Sequence, residues 1–156
     1  MQITLDLHTR QQNQIDNTHD TDAPTPGEVL EAQGLRGKFL GAIHRPTAAS
    51  YTYNCHGLTF ASRRTQIDDP AEVRKILTQD AYQKVDRSAI LPGDIVVYIG
   101  PDGDIEHSGV VMDVDKSMLI PIPKVLSKWG VAHEVVHRLT DCPYASTNVE
   151  FYRVTA

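Results

Sequence analysis

The sequence predicts an α+β domain in which helices from the first half of the chain pack on an antiparallel sheet built by the second half. A helix start signal, Asp69-Pro70, lies before residue 80, whereas β-branched and alternating apolar runs fill the chain after residue 90. Helices followed by strands are typical of segregated α+β architecture. At 156 residues the chain suits one domain. We place that domain at residues 27–156, after a polar N-terminal arm at residues 1–26.

Three helices are predicted in the first half. A short helix over Glu28–Gln33 precedes a stretch broken by glycines. A second helix runs from Cys55 to Arg64. The third is best marked, because Asp69 suits the N-cap and Pro70 the first helical position. Its inward stripe consists of Val73, Ile76 and Leu77.

Five strands are predicted in the second half. Residues 91–100 and 105–114 form a hairpin around the turn sequence PDGD. Residues 118–129 form a third strand, whose prolines suggest an edge or bent position. Residues 134–139 and 148–154 are the fourth and fifth strands.

Charge and hydropathy indicate which classes of partner and which cell compartment to expect. The formal net charge is −5 and no basic stripe is present, so we expect no nucleic-acid partner. No apolar run is long enough for a membrane span, so no membrane partner is expected. The N-terminus lacks a signal-peptide pattern, which predicts a cytoplasmic protein, with signal-independent export or release by lysis left open.

Cys55 and Cys142 are predicted to be free thiols. The oligomeric state is not predicted.

The stretch His133-Glu134-Val135-Val136-His137 matches the zinc-protease pattern H-E-x-x-H. That chemistry needs a helix, and the two valines favour a strand instead. On a strand the two histidines would lie about 13 Å apart, too far for one metal ion. We therefore predict no metal and no cofactor. A zinc metalloprotease that uses His133, Glu134 and His137 is the alternative.

Cys55 begins a predicted helix in the stretch Asn54-Cys55-His56-Gly57-Leu58. The helix dipole and free N–H groups at that position favour thiolate and lower the thiol pKa. A nucleophilic cysteine also needs a base, and His107 stands at the start of a predicted strand, followed by two small residues. Cys55 and His107 are thus the candidate nucleophile and base.

Three linked motifs in this part of the chain resemble the NlpC-type amidases and the related CHAP amidases, which are papain-like cysteine peptidases. The resemblance covers roughly residues 51–128. It consists of Asn54-Cys55-His56-Gly57-Leu58, Pro92-Gly93-Asp94-Ile95-Val96 and His107-Ser108-Gly109-Val110-Val111. It implies a papain-like, NlpC-type fold and hydrolysis of an amide through a thioester. The implied substrate is a peptide or a peptidoglycan fragment.

The resemblance leaves the third catalytic position open. In those families this residue lies on the strand after the histidine strand, where Ser127 is nearest, with Lys128 beside it. His137 or Glu134 on the following strand is the alternative. A catalytically inactive binding module is a further alternative to the hydrolase. The residues expected around the oxyanion and the pocket are Tyr53, Asn54, His56, Ser108 and Trp129.

Overall fold

The computed structural model describes residues 1–155 and has the predicted α+β layout. Three α-helices occur in these residues: α1 (Pro26–Lys38), α2 (Cys55–Phe60) and α3 (Pro70–Gln79). A two-stranded sheet pairs β1 (Gln2–Ile3) with β2 (His19–Asp20). The main sheet contains β3 (Ile43–His44), β4 (Tyr82–Val85), β5 (Ile95–Ile99), β6 (Ile105–Asp115), β7 (Ile122–Lys128), β8 (Glu134–Arg138) and β9 (Val149–Val154).

The main sheet is antiparallel throughout, in the order β3-β8-β7-β6-β5-β9-β4. The five predicted strands are β5 to β9, and their prediction is confirmed. The edge position predicted for β7 is wrong, because β7 lies between β6 and β8. Pro123, near the start of β7, pairs with Val114 just beyond an irregularity in the β6–β7 register. The strands β3 and β4 occupy the edges and were not predicted.

Two helices differ in length from their prediction. Helix α1 is longer, since a capping box between Thr25 and Glu28 starts it and it continues through the glycines to Lys38. Helix α2 is shorter than predicted and ends at Phe60. The next turn cannot continue the helix, because Ser62 and Arg63 have φ angles of 51° and 64°.

Apolar side chains cover both faces of the main sheet. On one face, Val96 and Tyr98 join the cluster that contains Trp129 and residues of α1. On the other face, Val97 packs with residues of α3. The N-terminal arm contributes to this second cluster through Ile15, which is buried.

Candidate active site

Cys55 is buried at the first position of α2, where Asn54 caps the helix by accepting a hydrogen bond from Gly57 N at 2.9 Å. Burial raises the pKa of the Cys55 thiol to about 11. The nearby backbone of Ser108 and of His56, and the charge of Lys128, lower the pKa of the thiol, but their effect is smaller than that of burial. The expected lowering of the thiol pKa is therefore wrong. At neutral pH the structure holds a protonated thiol.

His107 lies on β6, completely buried, with its ring stacked on Tyr144 at a centroid distance of 3.7 Å and an interplanar angle of 7°. Tyr98 contacts the ring edge-on at 5.1 Å. Within residues 1–155 neither ring nitrogen has a hydrogen-bond partner. Burial lowers the pKa of His107 well below its usual value, with a smaller contribution from His137. The imidazole is therefore neutral, and both nitrogens lack a fixed partner.

Cys55 and His107 come from elements that pack directly on each other. Helix α2 lies against β6 and β7, and the backbone of Ser108, next to His107, is close enough to the Cys55 sulfur to act on the thiol pKa. No hydrogen bond joins the thiol to the imidazole, since both ring nitrogens of His107 are free among the described residues. Tyr144 connects the two, because it stacks on His107 and also lines the cleft in which Cys55 lies.

That cleft, here called the Cys55 cleft, has a volume of about 390 Å³. Of the five residues predicted around the pocket, Asn54 and His56 line it, whereas Tyr53, Ser108 and Trp129 do not. The remaining lining residues are Gln66, Asp68, Pro70, Ile105, Glu106, Gly130, Val131 and Tyr144.

His56 fastens α2 to the sheet. Its Nδ1 lies 2.7 Å from Ser108 Oγ, which donates in turn to Thr59 Oγ1 at 3.0 Å. Burial lowers the pKa of His56 to about 4, so the ring is neutral at pH 7. These contacts agree with a structural histidine at the cleft wall.

Close packing explains the glycines in two of the three motifs. A Cβ at Gly57 would lie 1.8 Å from the carbonyl oxygen of Thr65. A Cβ at Gly109 would lie 2.4 Å from Val125 Cγ1 and 2.8 Å from Leu126 O. Both positions therefore exclude any side chain. One glycine lets the chain after α2 fold back on the helix, and the other lets β6 approach β7.

The two alternatives for the third position, Ser127 and His137, are hydrogen-bonded to each other. His137 Nδ1 lies 2.7 Å from the carbonyl oxygen of Arg138 and must donate to it. The Nε2 atom of neutral His137 is then an acceptor, and Ser127 Oγ donates to it at 2.7 Å. Ser127 and His137 thus form one buried polar unit on β7 and β8.

Trp129 belongs to the core near this pair. It is buried, and its ring contacts Phe39 edge-on at 5.0 Å and His137 at 5.5 Å. Its Nε1 has no hydrogen-bond partner among the described residues. Trp129 therefore packs the sheet instead of lining the Cys55 cleft.

Glu134, the acid of the H-E-x-x-H stretch, is the centre of a buried ion-pair network. It accepts from Arg63 Nε at 2.6 Å, Arg63 Nη2 at 3.1 Å and the Tyr53 hydroxyl at 2.5 Å. Burial by itself raises the pKa of Glu134, but the hydrogen bonds from Arg63 and Tyr53 outweigh it, and the pKa lies below its usual value. The carboxylate holds the Arg63 turn against β8.

The histidines of the same stretch have separate partners. The stretch is a strand from Glu134 onwards, as the valines predicted. His133 Nε2 lies 2.7 Å from His44 Nδ1, and His137 is bonded to Ser127. In residues 1–155 no group of three or more His, Cys, Asp or Glu side chains is arranged to hold a metal ion.

The sequence motifs do not predict eight of the residues that line the Cys55 cleft, among them Tyr144, and they give Lys128 no role beside the nucleophile. Tyr144 lies in the irregular segment between β8 and β9, where no motif marks it. Lys128 was weighed only as a third catalytic residue. Its burial carries no sequence signal, because the prolines at residues 118–129 predict an edge or bent strand and a lysine on such a strand is ordinarily exposed.

The chain matches no protein-family model, no curated protein and no solved structure. The likeness to NlpC-type and CHAP amidases thus stays a prediction from the motifs. None of the helices described in residues 1–155 is long and apolar enough to cross a membrane.

Proposed function

We propose that this protein is a cysteine-dependent amide hydrolase that acts on a peptide amide, with peptidoglycan peptides as the candidate substrate. The observation that carries the proposal is the position of Cys55. It is a buried thiol at the wall of an open cleft, on a helix that packs against the strand of a buried histidine. Among the described residues, neither ring nitrogen of that histidine has a hydrogen-bond partner. Acyl transfer requires a nucleophile and a nearby base, and Cys55 and His107 lie on a helix and a strand that pack against each other.

Hydrolysis proceeds in two steps, acylation of Cys55 and hydrolysis of the thioester. The Cys55 sulfur attacks the amide carbon while its proton passes to His107. The C–N bond then breaks, the imidazolium returns the proton to the leaving amine, and a thioester remains on Cys55. Water next attacks the thioester and gives its proton to His107, which returns it to the Cys55 sulfur as the carboxylic acid leaves.

The papain-like, NlpC-type fold is part of the same proposal. In its favour stand a helix that begins with the cysteine, the antiparallel strands β5, β6 and β7 that follow it in order, and the motif residues at the positions the resemblance expects. Ser127 and His137, the candidates for the third position, lie on the face of the sheet that His107 occupies, but their side chains are hydrogen-bonded to each other and to the Arg138 carbonyl and not to His107. His137 is close enough to influence the His107 pKa.

The test is turnover of defined peptides. The protein is incubated with soluble peptidoglycan peptides, and new carboxyl and amino termini are identified by mass spectrometry. We expect cleavage by the wild type and by Cys142→Ala, which removes the other buried cysteine, and none by Cys55→Ala or His107→Gln. Cleavage that survives Cys55→Ala would overturn the proposal. No cleavage of any peptide by folded wild type would favour the inactive binding module.

A further inference from the structure

Lys128 is a fully buried cation at the end of β7. Its Nζ donates to the carbonyl oxygens of Ser50 at 2.8 Å and Gly130 at 2.5 Å, and lies 5.0 Å from the centre of the Tyr53 ring. Within the described residues no carboxylate oxygen comes within 4.0 Å of it to form an ion pair. A buried ammonium group without an anionic partner is unfavourable, and such groups concentrate at functional sites.

The surroundings of Lys128 and of Cys55 overlap. Gly130, which accepts a hydrogen bond from Nζ, lines the Cys55 cleft, and Tyr53 stands two residues before Cys55. Helix α2 packs on β7 as well as on β6. Glu134 faces Lys128 across the β7–β8 ladder, but its carboxylate is already bonded to Arg63. The Lys128 charge is therefore not neutralised by Glu134, and it favours the thiolate form of Cys55.

Lys128 is the group near Cys55 that titrates just above neutral pH. Burial lowers its pKa to about 8, and Cys55 and Glu134 raise it by smaller amounts. The buried histidines titrate at lower pH and the buried tyrosines at higher pH. The titratable groups around the pair lie on several elements. They are Glu134 on β8, His133 next to it, Tyr53 below the ammonium group, His56 on α2, His107 on β6, Tyr144 across the cleft, and the cleft carboxylates Asp68 and Glu106.

We propose that Lys128 is an electrostatic positioning residue for Cys55, whose ammonium group supplies the positive charge that stabilises the thiolate. His107 cannot supply this charge before the reaction, because it is buried and neutral. The inference rests on the proposed function for its biological purpose. Lys128 acts through its charge and does not take the Cys55 proton. That proton goes to His107 during hydrolysis and to the buffer during alkylation.

The proposal predicts a characteristic pH dependence of thiolate formation. Two coupled groups lose their protons in two steps that belong to the pair. Below pH 8 the thiolate forms beside a charged Lys128, and its population rises tenfold per pH unit. Above pH 8 loss of the Lys128 charge cancels further gain, so the thiolate population levels off. It rises again only when the second proton leaves.

The experiment is the rate of Cys55 alkylation by iodoacetamide from pH 6 to 10, measured by peptide mass spectrometry on the full chain. We expect a rate that rises, flattens near pH 8 and rises again. In Lys128→Met we expect a single rise without flattening, and a rate at pH 7 about tenfold lower, as for loss of one nearby opposite charge. Lys124→Met, which removes an exposed lysine of the same strand, should match the wild type.

Equal rates and equal profiles in the wild type and Lys128→Met would overturn the inference. If Lys128→Met does not fold, the wild-type profile decides alone: a single rise through pH 8 overturns the inference, and flattening there supports it. Alkylation needs no turnover, so the two proposals fail separately. Flattening without peptide cleavage refutes only the hydrolase, and Cys55-dependent cleavage without flattening refutes only the role of Lys128.

Discussion

Replacing Glu134 by glutamine should destabilise the protein, because the structure makes this carboxylate a structural anchor. Glu134→Gln keeps the shape and can still accept from Tyr53, but it loses the charge that binds Arg63 through two hydrogen bonds. A hydrogen bond to a charged group contributes about 1.5–3 kcal/mol. The Arg63 side chain is 45% exposed and regains water when released. We therefore expect a net loss of about 2 kcal/mol in the free energy of unfolding at pH 7.

The loss should depend on pH with a definite sign. The folded-state pKa of Glu134 lies below its value in the unfolded chain. Its contribution to stability is therefore complete above the unfolded pKa of about 4.3 and disappears as pH falls through the folded pKa. Glutamine does not titrate. The difference between wild type and Glu134→Gln should thus shrink steadily below pH 5.

Urea unfolding followed by the fluorescence of Trp129, the single tryptophan, measures this difference. Glu31→Gln, which removes an exposed carboxylate from α1, is the matched control and should change stability by less than about 0.5 kcal/mol. An equally small effect of Glu134→Gln at pH 7, or a large effect that is constant from pH 7 to pH 3, would refute the anchoring role.

Two further substitutions test the packing around the candidate site. Gly57→Ala places a Cβ on the Thr65 carbonyl and should lower the free energy of unfolding, measured by urea titration, by about 3 kcal/mol. Gly34→Ala has open space at the helix surface and should raise the same free energy by about 0.5–1 kcal/mol. Equal effects of the two substitutions would contradict the packing at Gly57. Tyr144→Ala uncovers the stacked His107 ring, so the pKa of His107 should move up towards 6.5 in an NMR titration. An unchanged titration would show that Tyr144 does not shield the ring.

The sheet was largely predictable because its strands carry their own pattern. Residues 95–99 and 105–114 are rich in β-branched residues and flank a turn sequence, and they became the β5–β6 hairpin. The edges were not predictable, since β3 has only two residues and exists through its pairing with β8. The interior position of β7 was not predictable either, because it depends on pairing with β8, a segment that follows later in the chain.

The sequence predicted part of the lining of the candidate site but not its electrostatics. The motifs predict Cys55 and His107, whose catalytic roles stay predictions, and the third-position candidates Ser127 and His137 are hydrogen-bonded to each other. The thiol pKa was expected to fall, because a helix start is visible in sequence and burial is not. Burial reverses the direction. Tyr144 carries no sequence signal, since only the folded loop brings it to the cleft.

The central claim is that Cys55 forms a covalent bond to the substrate's acyl group. The most direct measurement is the mass of the peptide that contains Cys55 after the protein has been mixed with peptidoglycan peptides and quenched in acid, which preserves a thioester. The account predicts an added acyl mass on Cys55 that hydroxylamine removes and that is missing in His107→Gln. Peptide cleavage with unmodified Cys55 at every quench time, and with equal rates in Cys55→Ala, would contradict the account.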